Sequence, residues 1–234
     1  MQAAQINAQK KQIPSFPDLD RYTTLTQAAQ MSLHHMIPGP AGNIEALVND
    51  SNEGSWLILC HPHPLYGGSM FDAVLDTVKQ AAAPMHLSTV RFNFRGVGSS
   101  DGEHDHGDGE VNDLLSVEEW LRETKTPSTV SFVGYSFGSV VASQAAVHCN
   151  AVSRLMLIAP PTSSMALAND IEVPVHIIVG DADPFVDLRR LRQWQHDQND
   201  VKIVTIPGAD HFFGGQHEAL RTATSTIFSE VLCP

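Results

Sequence analysis

The sequence predicts an α/β fold, a mostly parallel sheet covered by helices on both faces. Three observations carry this. Short continuous apolar runs recur (WLILC, STVRFNF, TVSFVG, RLMLIAP, VPVHIIVG and VKIVTIPG), the pattern of strands buried on both faces. Segments of helical length and period lie between them, at residues 70–83, 110–123, 137–148, 187–198 and 216–232. The alternation repeats every ~25 to 30 residues, as successive strand–helix units do.

Taken in order, residues 1–30 are rich in Gln, Ala and Thr, carry Pro14 and Pro17, and show no sustained period. They read as an arm, flexible or laid along the domain, with no functional residue expected in it. Residues 31–234 read as one domain. It opens with a hairpin, SLHHMI and NIEALV around PGPAG, followed by the polar turn NDSNEGS and then WLILC. From there strand and helix alternate to the end, without internal repeat or low-complexity tract.

The 234 residues suit a single large domain, and an apolar share of 42% is enough to close its core. Twenty-six acidic residues against 14 Lys and Arg leave a formal charge of −12, which argues against nucleic acid or an anionic membrane as partner. No run approaches the ~18 apolar residues of a membrane span. Cys60, Cys149 and Cys233 are odd in number and far apart, and they read as reduced thiols in a cytoplasmic protein.

In such a sheet, ligands bind outside the carboxyl ends of the strands, so the loop after each strand is where chemistry is sought. After TVSFV comes Gly134-Tyr135-Ser136-Phe137-Gly138, the pattern G-x-S-x-G at a strand-to-helix turn. So sharp a turn holds the serine in a strained backbone conformation and leaves no room for side chains two positions either side. The bland alternative is a Gly-Ser turn that serves only chain reversal.

A serine needs a base to take its proton, and the base needs a third group to orient it. Both are expected at late strand ends. VPVHIIVG runs into Asp181-Ala182-Asp183, and VKIVTIPG into Gly208-Ala209-Asp210-His211. Of 12 histidines, His211 alone follows a late strand and a Gly turn, so it is the expected base. Asp183 is preferred to Asp181 as its partner, and Asp210 is expected to point away. His34, His35, His86, His148, His196 and His217 read as surface or core-edge residues, and His176 as a satisfied core histidine.

Acyl transfer also needs two N–H donors for the tetrahedral oxygen. Phe137, after the nucleophile, is one. The other is sought in His61-Pro62-His63-Pro64-Leu65-Tyr66-Gly67-Gly68, where the prolines have no N–H, leaving His63 as the best donor. A zinc reading of His61-x-His63 needs a third ligand, which the nearby DGEHDHGDGE could supply from its carboxylates or from His104 or His106. A calcium reading of that run meets His106 where Gly is needed and Asn112 where the final Glu is needed. No metal or other cofactor is expected. His61 is expected to pack under its loop, and the acidic run to be a solvated loop whose Glu110 and Asp113 favour a helix N-terminus.

GYSFG, GDADP and GADHFF, with RGVGSSDG after the fourth strand, resemble the landmarks of the α/β-hydrolase superfamily from about Ser32 onward. HPHPLYGG, RFNFRGVGSSDGE and HFFGG are similar to a group of small, mostly bacterial serine hydrolases related to the dienelactone-hydrolase branch. That branch proper carries a cysteine nucleophile where this chain has Ser136. The resemblance implies an eight-stranded sheet with the second strand antiparallel, a triad of Ser136, Asp183 and His211, and hydrolysis through an acyl-enzyme. Only about a dozen residues (162–172) separate RLMLIAPP from VPVHIIVG, too few for a cap domain, so the site is expected to be open.

The expected wall is apolar: Leu65, Tyr66, Met70, Met165, Phe185, Phe212 and Phe213. The function expected is hydrolysis of a small or medium acyl ester or thioester, a small-molecule substrate, with a homodimer left open. A long-chain lipid substrate would want a lid or an exposed apolar face, and the sequence shows neither. Two alternatives stay open: an amide or peptide hydrolase or acyltransferase with the same triad, and a non-catalytic binder on the same scaffold. A carboxylate nucleophile, as epoxide and haloalkane hydrolases need, is absent at Ser136.

Overall fold

The computed structural model of the protein describes residues 32–51 and 53–232. The expected N-terminal arm and Cys233 lie outside the described residues. Eight strands form one sheet in the order β1-β2-β4-β3-β5-β6-β7-β8. They are β1 (Leu33–Gly39), β2 (Gly42–Asn49), β3 (Ser55–Cys60), β4 (Ser88–Phe92), β5 (Thr129–Tyr135), β6 (Val152–Ile158), β7 (Val175–Gly180) and β8 (Val201–Ile206). β2 runs antiparallel to both β1 and β4, and all later pairs are parallel. Five helices follow: α1 (Ala73–Ala82), α2 (Asp108–Lys125), α3 (Phe137–Val147), α4 (Leu188–His196) and α5 (His217–Leu232).

The central strands are built on continuous apolar runs because helices cover both faces. Trp56, Ile58 and Cys60 of β3 point into one layer with Leu114 and Val117 of α2, Val141 of α3 and Leu191 of α4. Leu57 and Leu59 point the other way, to Val74 and Val78 of α1 and Leu220 and Ile227 of α5. Each large apolar side chain removed from water contributes about 1.5–3 kcal/mol, so the two layers together set the sheet's register.

Two helix starts differ from the sequence reading by more than one residue. α1 begins at Ala73 rather than Met70, because Asp72 caps it by accepting from the Val74 N–H at 2.8 Å. Met70 lies before the cap, fully buried, its own N–H donating to Asn93 Oδ1 at 2.8 Å. α2 begins at Asp108, earlier than expected, because Glu110 reaches back to accept from the Gly107 N–H at 2.8 Å.

Most of the run DGEHDHGDGE is exposed, as expected of a solvated loop, but Glu110 at its end and Asp113 beyond it are fully buried rather than solvated. Glu110 accepts from the Asp105 N–H and pairs with His104 Nδ1 at 2.7 Å. Asp113 accepts from both the backbone and the guanidinium of Arg95. The run DGEHDHGDGE is thereby tied to the end of β4. His176 is buried in β7, but both ring nitrogens lack a hydrogen-bond partner, so it is not the satisfied histidine expected. Burial holds its pKa below the usual range. Among the described residues, no helix stands between β6 and β7, and none is long and apolar enough to cross a membrane.

Candidate active site

The turn from β5 into α3 holds Ser136 at φ 53°, ψ −121°, outside the comfortable range for a side-chain-bearing residue. The flanking glycines let it form. A Cβ on Gly134 would collide with the Gly138 carbonyl, and one on Gly138 with the Cys60 and His61 carbonyls. The start of α3 is thus pressed against the end of β3, which brings the His61–Gly68 loop beside the serine. The Ser136 N–H donates to the Ile158 carbonyl at 2.9 Å, fixing the turn from its other side.

The loops after β7 and β8 meet over this turn. Ser136 Oγ lies 2.9 Å from His211 Nε2, and His211 Nδ1 lies 2.7 Å from Asp183 Oδ2. A carboxylate only accepts, so Nδ1 carries the proton and Nε2 faces the hydroxyl as acceptor. Asp183 is held in turn by the Phe185 N–H, which donates to its Oδ1 at 2.8 Å. Asp181 instead accepts from the Gly208 N–H, and Asp210 from the N–H groups of Phe212 and Gly214. The three side chains Ser136, Asp183 and His211 are nearly buried, at 9, 7 and 6% exposure.

The Tyr135 hydroxyl donates to the His211 carbonyl at 3.0 Å, and the Phe185 ring packs 4.7 Å from the imidazole. Sequence reasoning missed Tyr135; its place beside the serine in the G-x-S-x-G turn was the available signal.

The two expected N–H donors both border the same cavity as Ser136. Phe137 opens α3, where an N–H has no partner within the helix. His63 precedes a turn of 3-10 helix (Pro64–Tyr66); its carbonyl accepts from the Tyr66 and Gly68 N–H groups, and its ring packs 4.8 Å from that of Phe137. Below the loop, His61 is fully buried, with Nδ1 2.6 Å from the Pro62 carbonyl and Nε2 accepting from the Phe94 N–H at 3.0 Å. Burial lowers its pKa to about 4. Both His61 ring nitrogens are therefore engaged. Among the described residues no group of three or more His, Cys, Asp or Glu is placed to hold a metal ion.

The cavity has a volume of about 550 Å³. Of the expected wall, Tyr66, Met165, Phe185 and Phe212 line it. Met70, Phe213 and Leu65 do not. Met70 is tied down behind the cap of α1, as described. Phe213 turns through φ 54° and drives its ring into the layer beneath α5. Leu65 projects outward from its short turn, 68% exposed. The sequence reading also missed Asp72, Pro161 and Ser164, which complete the wall. The mouth carries exposed aromatics, Tyr66 at 87% and Phe212 at 64%, with Leu65 and Phe71 exposed on the neighbouring loop. The expectation of no exposed apolar face is therefore corrected: these side chains project from the loops at the cavity mouth rather than into either core layer.

A lidless α/β sheet with a strained serine at a strand–helix turn defines a class, the α/β serine hydrolases. Residues 55–231 match the family model described as alpha/beta hydrolase domain, and the chain belongs to that family. An uncharacterised protein of Rickettsia prowazekii is 33% identical over 202 residues, covering 79% of this chain and 84% of that one. The crystal structure of an α/β serine hydrolase without lid from Xanthomonas campestris is 33% identical, with a TM-score of 0.77, covering 83% of this chain and 92% of that one. An α/β serine hydrolase homologue from Coxiella burnetii matches at the same identity and TM-score, covering 83% of this chain and 96% of that one.

Proposed function

We propose that the protein is a serine carboxylic-ester hydrolase that cleaves a small or medium acyl ester or thioester through an acyl-enzyme. One observation carries this reading: the unbroken contacts from Asp183 through both nitrogens of His211 to Ser136 Oγ, at 2.7 and 2.9 Å. His211 takes the hydroxyl proton as Ser136 Oγ attacks the acyl carbon. Asp183 orients the ring and stabilises the imidazolium. The N–H groups of Phe137 and His63 receive the oxyanion, each such donor contributing about 10²–10³ in rate. His211 then protonates the departing alcohol or thiol, and water repeats the cycle on the acyl-enzyme.

The cavity volume supports a small-molecule substrate, since such sites span ~300–1,000 Å³. Buried free thiols at Cys60 and Cys149 suit a cytoplasmic setting.

The test is kcat/KM on p-nitrophenyl esters and matched thioesters with acyl chains from two to sixteen carbons, with Ser136→Ala as control. The expected optimum lies at short to medium chains and vanishes in the variant. A preference for the longest chains overturns the substrate size, and turnover surviving in Ser136→Ala overturns the mechanism. Labelling of Ser136 by a fluorophosphonate separates an enzyme from a non-catalytic binder.

A further inference from the structure

Among the described residues lining the cavity around Ser136, one carries a fixed charge, and it is negative. Asp72 is half-buried on the wall, while no Lys or Arg lines it. The cap at the start of α1 holds the carboxylate in place, with the Val74 N–H donating to its Oδ1 at 2.8 Å. Burial raises its pKa, an effect opposed by the capping N–H groups of Val74 and Leu75 and by nearby His217. Tyr135, in the same wall, feels it: burial raises the phenol pKa most, and Asp72 is the carboxylate that adds most to that.

Aromatic side chains line the mouth. Tyr66, Phe185 and Phe212 all line the cavity and are 87, 47 and 64% exposed. Aromatic faces attract cations through their quadrupole, and a carboxylate in the same enclosure attracts them by charge. An anionic group entering the same space meets a like charge and, among the described residues, no Lys or Arg.

We infer that the pocket selects esters bearing a cationic group, such as a quaternary or primary ammonium, against anionic ones, and that Asp72 sets this preference. The inference rests on the ester-hydrolase reading above and names its substrate class. The expected size follows from the cavity. A volume of about 550 Å³ is roughly 8 Å across, so a charge held inside lies within about that distance of the wall. At an effective dielectric of about 20, unit charges ~8 Å apart alter affinity by roughly tenfold to thirtyfold. Attraction of the cation and repulsion of the anion multiply, so their ratio should shift by roughly a hundredfold.

Three p-nitrophenyl esters of matched length test it: the 4-(trimethylammonio)butanoate, its uncharged tert-butyl isostere and the hemiglutarate. Wild-type kcat/KM should fall in that order. Asp72→Asn keeps a good helix cap while removing the charge. It should cut the cation-to-anion ratio by roughly a hundredfold. A merely structural role for Asp72 would lower all three esters in proportion and leave the ratio unmoved, which overturns the inference alone. A wild-type ratio near one does the same. Failure of the wild-type protein to turn over any of the three overturns the ester-hydrolase reading and this inference with it.

Discussion

Acid should unfasten this protein at His61. The imidazole is fully buried under the loop that carries His63, donating from Nδ1 to the Pro62 carbonyl and accepting at Nε2 from the Phe94 N–H. Its pKa is about 4 in the folded state, against ~6.5 for an exposed histidine. Between those values the unfolded chain binds a proton that the folded chain refuses, so stability falls as the pH falls. The contribution is fully present above about pH 6.5, has dropped by about 2 kcal/mol at pH 5 and by about 3 kcal/mol near pH 4. Out of a typical ~5–15 kcal/mol, that is a large share. Protonation also costs the Phe94 N–H its acceptor. The assay is urea unfolding across pH 4 to 7.5 for the wild type and for His61→Gln, whose neutral amide cannot titrate. Other histidines contribute to both curves, so the difference between them isolates His61. It should change by about 2–3 kcal/mol over the window, with the wild type losing more on the acid side. Parallel curves would refute the reasoning.

Three further outcomes are expected. Asp183→Asn should lower kcat by about 10³–10⁴ with little change in Tm, because an amide can present its NH₂ to His211 Nδ1 and favour the wrong tautomer; steady-state kinetics and a melting curve check both halves. Gly138→Ala should lose several kcal/mol or fail to fold, since its methyl would strike the Cys60 and His61 carbonyls, which are backbone and cannot step aside; denaturant unfolding measures it. Glu110→Ala should cost about 2–4 kcal/mol by denaturant unfolding, because it strands the N–H groups of Asp105 and Gly107 and the ring of His104.

The order of strands and helices was legible in the sequence because burial on both faces leaves a continuous apolar run, a signal written locally. Ser136, Asp183 and His211 could be singled out for a related reason. Each stands just after such a run, and the carboxyl ends of parallel strands share one edge of the sheet. The choice of Asp183 over Asp181 rested on position in the loop, and the structure gives the two carboxylates different partners, His211 and the Gly208 N–H.

The pocket wall was another matter. Met70, Phe212 and Phe213 are all apolar and all near a motif, yet Phe212 lines the cavity while the other two are fully buried away from it. Composition says that a side chain prefers to leave water; it does not say which way the backbone turns it. That depends on a left-handed φ at Phe213 and on a cap at Asp72 that starts α1 at Ala73, past Met70. Likewise Glu110 and Asp113 look like solvated acids in a hydrophilic run, and only contact with Arg95 and His104 makes their burial affordable.

What the chain carries by itself is thus its periodicity and the residue types that its turns require, because both are set within a few neighbours. What only the tertiary structure decided is direction and company: which carboxylate meets the imidazole, which aromatic rings stand open at the mouth, and that Asp72 is the one fixed charge among the described residues lining the cavity. These depend on loops tens of residues apart in sequence converging within a few ångströms. No local rule of sequence encodes that distance.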